Sequence, residues 1–134
     1  MAANTSQTLQ ERADYAVGVA PQNVGTADVT GGWHPMAMFR RVAAVAQAEA
    51  AAAAAEALTV TLQQATDDTG TGAKDLGAAV TVTADAVGDE LIATVEAQAE
   101  DMDAGFTHVA VKVGHSEAGQ TGSATLVRGD GRFR

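Results

Sequence analysis

The segment Leu58–Leu76, LTVTLQQATDDTGTGAKDL, constrains the fold more than any other stretch of the chain. At its start, Leu58, Val60 and Leu62 alternate with polar residues, and the alternation then gives way to a glycine-punctuated polar loop at 67–72. Apolar residues at every second position indicate a strand with one buried face, and a loop of Asp, Thr and Gly is typical of the end of such a strand. The segment therefore predicts a half-buried strand that leaves a sheet at the loop.

Further segments show the same alternation and are separated by turn residues. The glycine-rich stretch Tyr15–Pro35 predicts short strands joined by turns. Strands spaced in this way predict a mainly β fold, an antiparallel β-sandwich or jelly roll. A chain of 134 residues fits a single domain of this kind. The other predicted strands are Ala79–Ala84, Leu91–Ala99, Phe106–Val113 and Ser123–Arg128.

We divide the chain into an N-terminal arm, residues 1–14, and a β-sandwich domain, residues 15–134. Thr8 and Glu11 have the spacing of a capping box, which predicts a short helix in the arm. A disordered terminus is the alternative, because termini are loose unless they are tied down.

The alanine-rich region Val42–Ala57 leaves two predictions open. Alanine is the best helix former, so intrinsic propensity favours one helix over Ala43–Ala57. An isolated helix of this length is marginal in water, however, and clear strand residues flank the region on both sides. We favour a strand over Phe39–Gln47, then an alanine-rich turn or short helix near 46–57, then the strand that begins at Leu58.

The net charge of −9 is spread unevenly along the chain. Lys74 and Lys112 are the only cations between Ala43 and Val127, and arginines lie on both sides of that acidic region. Such a distribution opposes nucleic-acid binding, which depends on clustered cations. Arginines outside the acidic body can instead dock onto an acidic protein surface. The predicted partner-binding residues are Trp33, Arg40, Arg41, Arg128, Arg132, Phe133 and Arg134.

No group of residues has the spacing of a catalytic or cofactor site. The absence of cysteine removes disulfides, thiolate zinc sites and cysteine nucleophiles. The loop Gly70–Lys74 is not a phosphate-binding loop, because Asp75 stands where that motif requires Ser or Thr. His34, His108 and His115 lack the spacing of zinc ligands on a helix. We therefore predict no enzyme activity, no cofactor and no metal ion.

Two short motifs have a simple structural interpretation. Asp67 and Asp68 could supply oxygen ligands to calcium, but the EF-hand pattern is absent, and we interpret the loop as a solvated turn. Arg128–Asp130 matches a tripeptide of cell-adhesion ligands, and we interpret it as a tight turn after the last strand. No apolar run reaches the roughly 18 residues of a membrane span, and the N-terminus lacks the pattern of a secretory signal. We expect a soluble protein that is made in a cytoplasm and has no membrane partner.

Three segments resemble small virion proteins of tailed bacteriophages and gene transfer agents. The segments are Leu58–Leu76, Asp101–Val113 with its sequence DMDAGFTHVAVKV, and Leu126–Phe133. The resemblance implies a capsid decoration protein or a vertex spike base, a β-rich domain on the virion surface with no catalytic residues. It also implies a strand, a short turn and a second strand in place of a helix near 39–64. The implied partners are the major capsid protein or another virion protein, and further copies in a trimer or fivefold ring.

Two other functions stay open at this stage. A head–tail connector or tail protein would keep the chain in the virion but change its position. A receptor- or carbohydrate-binding module on the particle would use the turns around Gly114–Gly122 as its contact surface.

Overall fold

Two β-sheets make up more than half of the described chain. The computed structural model describes residues 13–131. The capping box at Thr8–Glu11 and the predicted partner-binding residues Arg132, Phe133 and Arg134 lie outside the described residues. The strands are β1 (Ala13–Asn23), β2 (Val29–Thr30), β3 (His34–Pro35), β4 (Phe39–Ala48), β5 (Ala57–Ala65), β6 (Lys74–Thr83), β7 (Ile92–Gln98), β8 (His108–His115) and β9 (Thr121–Gly131), with one 3-10 turn at Ala99–Asp101.

The strands pair antiparallel and form two facing sheets. The four-stranded sheet has the order β1-β9-β4-β7. The five-stranded sheet has the order β2-β8-β5-β6, and β3 also pairs with β8. This arrangement confirms the prediction of a mainly β, antiparallel sandwich. Small and branched apolar side chains fill the space between the sheets, the largest fully buried ones being Val19, Val24, Val42, Leu58, Val60, Leu62, Leu76, Val109, Val111, Val113 and Leu126.

The alanine-rich region is a strand followed by a loop. Val42, Ala44 and Ala46 in β4 are buried, and the residues between them are more exposed, which is the period of a strand. β4 pairs with β9 on one side and with β7 on the other. Helix propensities differ by less than about 1 kcal/mol per residue, so core burial and two-sided pairing outweigh them. Residues 49–56 form a loop, and the helix over Ala43–Ala57 that propensity favours is wrong.

Two strands are longer than the sequence predicts. β6 begins at Lys74 instead of Ala79, because an irregularity around Gly77 shifts the register and returns Leu76 to the core. The φ angle of Gly77 is +77°, a conformation that glycine adopts without strain. β9 extends through Arg128–Asp130, so the prediction of a tight turn at this tripeptide is wrong.

One long side of the sandwich is closed by two glycines. Gly31 follows β2 and lies so close to Gly18 in β1 that a Cβ on Gly31 would stand 1.5 Å from the Gly18 carbonyl oxygen. Only a residue without a side chain fits there. The N–H of Gly31 donates to the carbonyl oxygen of Val111 in β8 at 2.9 Å. The two sheets therefore meet backbone to backbone along this side.

Candidate partner-binding surface

The two ends of the sandwich differ in their content of lysine and arginine. At one end, which we call the acidic end, four loops meet, and hydrogen bonds such as Ala51 N–H to the Asp89 carbonyl oxygen (2.9 Å) join them. The loops are 24–28, 49–56, 84–91 and 116–120. All four lie within the described chain, and they contain neither lysine nor arginine. Their carboxylates are those of Asp28, Glu49, Glu56, Asp85, Asp89, Glu90 and Glu117.

Arg40 and Arg41 lie at the opposite end, which we call the arginine end, where β4 begins and β9 ends. Arg41 Nε is 3.0 Å from Asp130 Oδ2, and both side chains are more than half exposed. Arg40 is exposed and makes no ion pair with the rest of residues 13–131. An exposed ion pair contributes about 0–1 kcal/mol, so Arg41 can exchange Asp130 for a carboxylate of a partner. An open cleft of about 420 Å³ adjoins the two arginines and is lined by Arg40, Arg41, Gln98, Ala99, Glu100 and Asp130.

Arg128 differs from the other two arginines because its guanidinium is used inside the chain. Its side chain is 11% exposed and forms an ion pair with Asp14 of β1. Nη1 donates to the carbonyl oxygen of Pro35 at 2.6 Å, and the guanidinium lies 4.7 Å from the ring centroid of Phe39. Arg128 thus joins β9 to β1, to β3 and to the start of β4. Its role in partner binding stays a prediction.

Trp33 packs against the loop that follows β5. A Cβ on Gly70 would stand 2.6 Å from the indole Nε1, and Gly70 has a φ angle of +84°. The half-buried ring therefore covers the loop at 67–72 from the β3 side. Lys74 extends over the ring of Phe106 at 4.7 Å and pairs with Asp103 at the same end of the sandwich. These contacts support Trp33 as an anchor within the fold, and its part in a partner interface stays a prediction.

The loop at 67–72 is held by the side chain of Asp67. Asp67 Oδ1 accepts hydrogen bonds from the backbone N–H groups of Thr69 and Thr71, each at 3.0 Å, and from the Thr69 hydroxyl at 2.8 Å. Hydrogen bonding by Thr71, and to a smaller extent by Thr69, favours the carboxylate and lowers the pKa of Asp67 well below its ordinary value. Within residues 13–131, no group of three His, Asp or Glu side chains lies close enough to hold a metal ion.

His34 lies where the edges of the two sheets meet. Its Nε2 is buried without a hydrogen-bond partner among residues 13–131, and Arg128, Asp14 and His108 are the charged or titratable neighbours. Burial lowers the pKa of His34, and the positive charge of Arg128 lowers it further, while the smaller effect of Asp14 opposes them. The neutral ring is therefore favoured in the folded protein.

The outer face of the four-stranded sheet is a surface that the sequence interpretation missed. Strand register sets its side chains in rows, and Val17 (67% exposed), Ile92 (59%) and Tyr15 (45%) lie open on it. One sequence signal for this face was present in β4, whose segment VAAVA is apolar on both faces of the strand. That pattern is typical of a sheet covered on both sides. The face is formed by Tyr15, Val17, Ala43, Val45, Gln47, Ile92, Thr94, Glu96, Ser123, Thr125 and Val127, and Arg41 borders it at the arginine end.

The outer face of the five-stranded sheet is polar instead. Thr59 and Thr81 bond through their hydroxyls at 2.9 Å, and Gln63 Nε2 donates to Asp75 Oδ1 at 2.6 Å. Lys112 Nζ lies 3.5 Å from the same Asp75 oxygen. These side chains already form hydrogen bonds and an ion pair with one another, so few of their polar groups are available to a partner.

The fold belongs to the class of two-sheet antiparallel β-sandwiches. No family model matches the sequence, and no curated protein matches it. Among the solved structures, a chain in the structure of infectious bursal disease virus, Gx strain, is similar with a TM-score of 0.50 and 12% sequence identity. The match covers 87% of this chain and 31% of that chain, so this chain spans about a third of its neighbour. At this identity the likeness is one of fold. Within residues 13–131, no helix is long and apolar enough to cross a membrane.

Proposed function

We propose that this chain is a structural protein of a virion, which adheres to the outer capsid shell as a decoration protein or as the base of a vertex spike. The observation that carries the proposal is the outer face of the four-stranded sheet. It holds the single charge of Glu96 and is bordered by Arg41, with Arg40 next to it at the arginine end, on a chain of net charge −9. The similar fold of a chain of infectious bursal disease virus supports a viral origin. The resemblance to phage virion proteins stays a prediction.

The proposed mechanism is adhesion without chemistry. A protein that binds only the assembled shell stabilises it by mass action. An apolar centre with charges at its border is the usual anatomy of a protein interface, and Arg40 and Arg41 would pair with carboxylates of the major capsid protein or another virion protein. The acidic end would remain in solvent. The trimer or fivefold ring that the resemblance implies stays a prediction.

The test is to locate and count the chain in particles purified from the organism that encodes it. Many tens of copies on the outer surface, seen by electron cryomicroscopy, would support the decoration role. A few copies in a sixfold or twelvefold ring would assign the chain to a head–tail connector or tail instead. Absence from particles would contradict the proposal.

A variant pair tests the docking surface. Arg40→Gln with Arg41→Gln removes both exposed arginines, and we expect at least tenfold weaker retention on particles, equal to about 1.4 kcal/mol. Ala52→Glu with Ala54→Glu makes the same change in net charge on exposed positions of the acidic end. This control should be retained like the unmodified chain. Equal loss from both variants would indicate general repulsion and would contradict docking through the arginines.

The receptor- or carbohydrate-binding alternative places its contact at the loop 116–120, which lies at the acidic end. Within residues 13–131, we find no observation that favours it. Saturable binding on a glycan array that is lost when this loop is replaced would establish it over the adhesion role.

A further inference from the structure

The edges of the two sheets are unequally protected against pairing with another chain. Natural edge strands are protected by charges, prolines, irregularities or short length. β1 has Pro21 and two irregularities in register, β2 and β3 have two residues each, and β7 has Glu96 near its centre. β6 has ten residues and is protected only in its first part, by Lys74, Asp75 and the irregularity at Gly77. Its second part, residues 79–83, has no charge, no proline and no irregularity.

The direction of the backbone groups along β6 follows from its pairing with β5. Ala84 N–H donates to the Glu56 carbonyl oxygen at 2.7 Å, and the Ala84 carbonyl oxygen accepts from Ala55 N–H at 2.9 Å. Ala84 therefore directs both groups toward β5. Because the direction alternates along a strand, Val80 and Val82 do the same. The N–H and C=O groups of Ala79, Thr81 and Thr83 consequently point away from the sheet.

We propose that β6 is the contact between two copies of this chain, which pair antiparallel about a twofold axis at Thr81. In this register Thr81 lies opposite Thr81 of the second copy, and Ala79 lies opposite Thr83. All the outward backbone groups of the segment 79–83 then find partners, giving about six hydrogen bonds. The two five-stranded sheets become one continuous sheet.

The side chains agree with the same register. Val80 lies opposite Val82 of the second copy on the core side, where both are only half-buried in one copy. Pairing would cover them. The irregularity at Gly77 offsets the register by two residues, so the proposed pairing is limited to the segment 79–83. Residues 79–83 carry no charge, so no like charges face each other in the paired segment. The contact is separate from the docking surface and does not depend on the proposed function.

Single cysteines test the register, because the chain has none of its own. Opposed residues of a hydrogen-bonded antiparallel pair have Cα atoms about 5.5 Å apart, within the range of a disulfide. Thr81→Cys should therefore cross-link to a dimer under mild oxidation, at least tenfold faster than the control Thr94→Cys on the β7 edge. A mixture of the Ala79→Cys and Thr83→Cys chains should give the mixed dimer in preference to either homodimer. Equal rates for Thr81→Cys and Thr94→Cys, or no preference in the mixture, would overturn the register.

Proline variants test the contact without oxidation. The N–H of Thr83 points away from β5, so Thr83→Pro leaves the fold intact but removes hydrogen bonds to the second copy. The β7 edge offers a matched control. Ala48 N–H donates to the Leu91 carbonyl oxygen, so Thr94 directs its N–H away from β4, and Thr94→Pro is the same change on the other edge. Sedimentation equilibrium should show a dimer. Thr83→Pro should raise its dissociation constant about tenfold, and Thr94→Pro should leave it unchanged. A monomer at every concentration, or a trimer or pentamer unaffected by Thr83→Pro, would overturn the proposal.

Discussion

Replacing Arg128 with methionine tests whether this arginine stabilises the fold through its internal contacts. Methionine keeps the length of the side chain but removes the hydrogen bond to Pro35, about 1.5–3 kcal/mol for a charged donor, and the contact with Phe39, about 0.5–2 kcal/mol. Asp14 is 46% exposed and regains water at little cost. Part of the loss is returned, because Arg128 Nε is buried without a partner among residues 13–131. The expected net loss is about 2–3 kcal/mol of unfolding free energy.

The control for this prediction is Arg41→Met. Arg41 carries the same charge but is 57% exposed, so its loss should cost less than about 1 kcal/mol. Urea unfolding followed by circular dichroism measures both, and for a domain of this size Arg128→Met should melt about 6–12 °C below the unmodified chain. A difference between the two variants of less than about 0.5 kcal/mol would refute the internal role. A double-mutant cycle with Asp14→Ala then gives the share of the ion pair.

Three further predictions follow from the backbone and from His34. Gly31→Ala should lower the free energy of unfolding by more than about 3 kcal/mol or prevent folding, because the new Cβ would collide with the Gly18 carbonyl. Gly32→Ala should change it by less than about 0.5 kcal/mol, because the atom nearest to a Cβ at that position is 3.9 Å away. Equal effects of the two would show that the close approach is not required. Ala55 has a φ angle of +69°, so Ala55→Gly should stabilise the chain by about 1 kcal/mol in the same assay. Ala54→Gly is the control and should lower stability, so a similar decrease for Ala55→Gly would contradict the prediction. In the unfolded state His34 binds a proton near its ordinary pKa of about 6.5, whereas the folded protein disfavours that proton. The free energy of unfolding should therefore be highest above this pH and should decrease as the pH falls below it. His34→Gln should remove this part of the slope, and an unchanged slope would contradict it.

The strands were predictable because alternation is a local signal. Leu58, Val60 and Leu62 reveal β5 without any knowledge of its neighbours, and the buried valines of β8 do the same. The alanine-rich β4 was harder, since its conformation depends on β7 and β9, which supply hydrogen bonds on both sides. A register change such as that at Gly77 has no local signal beyond a glycine.

The candidate surface was only partly predictable for the same reason. Arg40 and Arg41 are adjacent in sequence, so their clustering required no fold. The outer face of the four-stranded sheet is assembled from four strands that are distant in the chain, and only the register brings Val17, Val45 and Ile92 together. Whether Arg128 points outward also depends on tertiary contacts with Asp14 and Pro35, which lie far away in sequence.

The acidic end has a colloidal consequence. Carboxylates gathered on one tip repel the corresponding tips of other copies over a Debye length of about 8 Å at physiological ionic strength. Copies crowded side by side on any support would hold their tips apart, and two supports coated in this way would resist sticking to each other. Added salt should abolish that spacing, so clumping of coated objects at high ionic strength is the outward sign of this charge distribution.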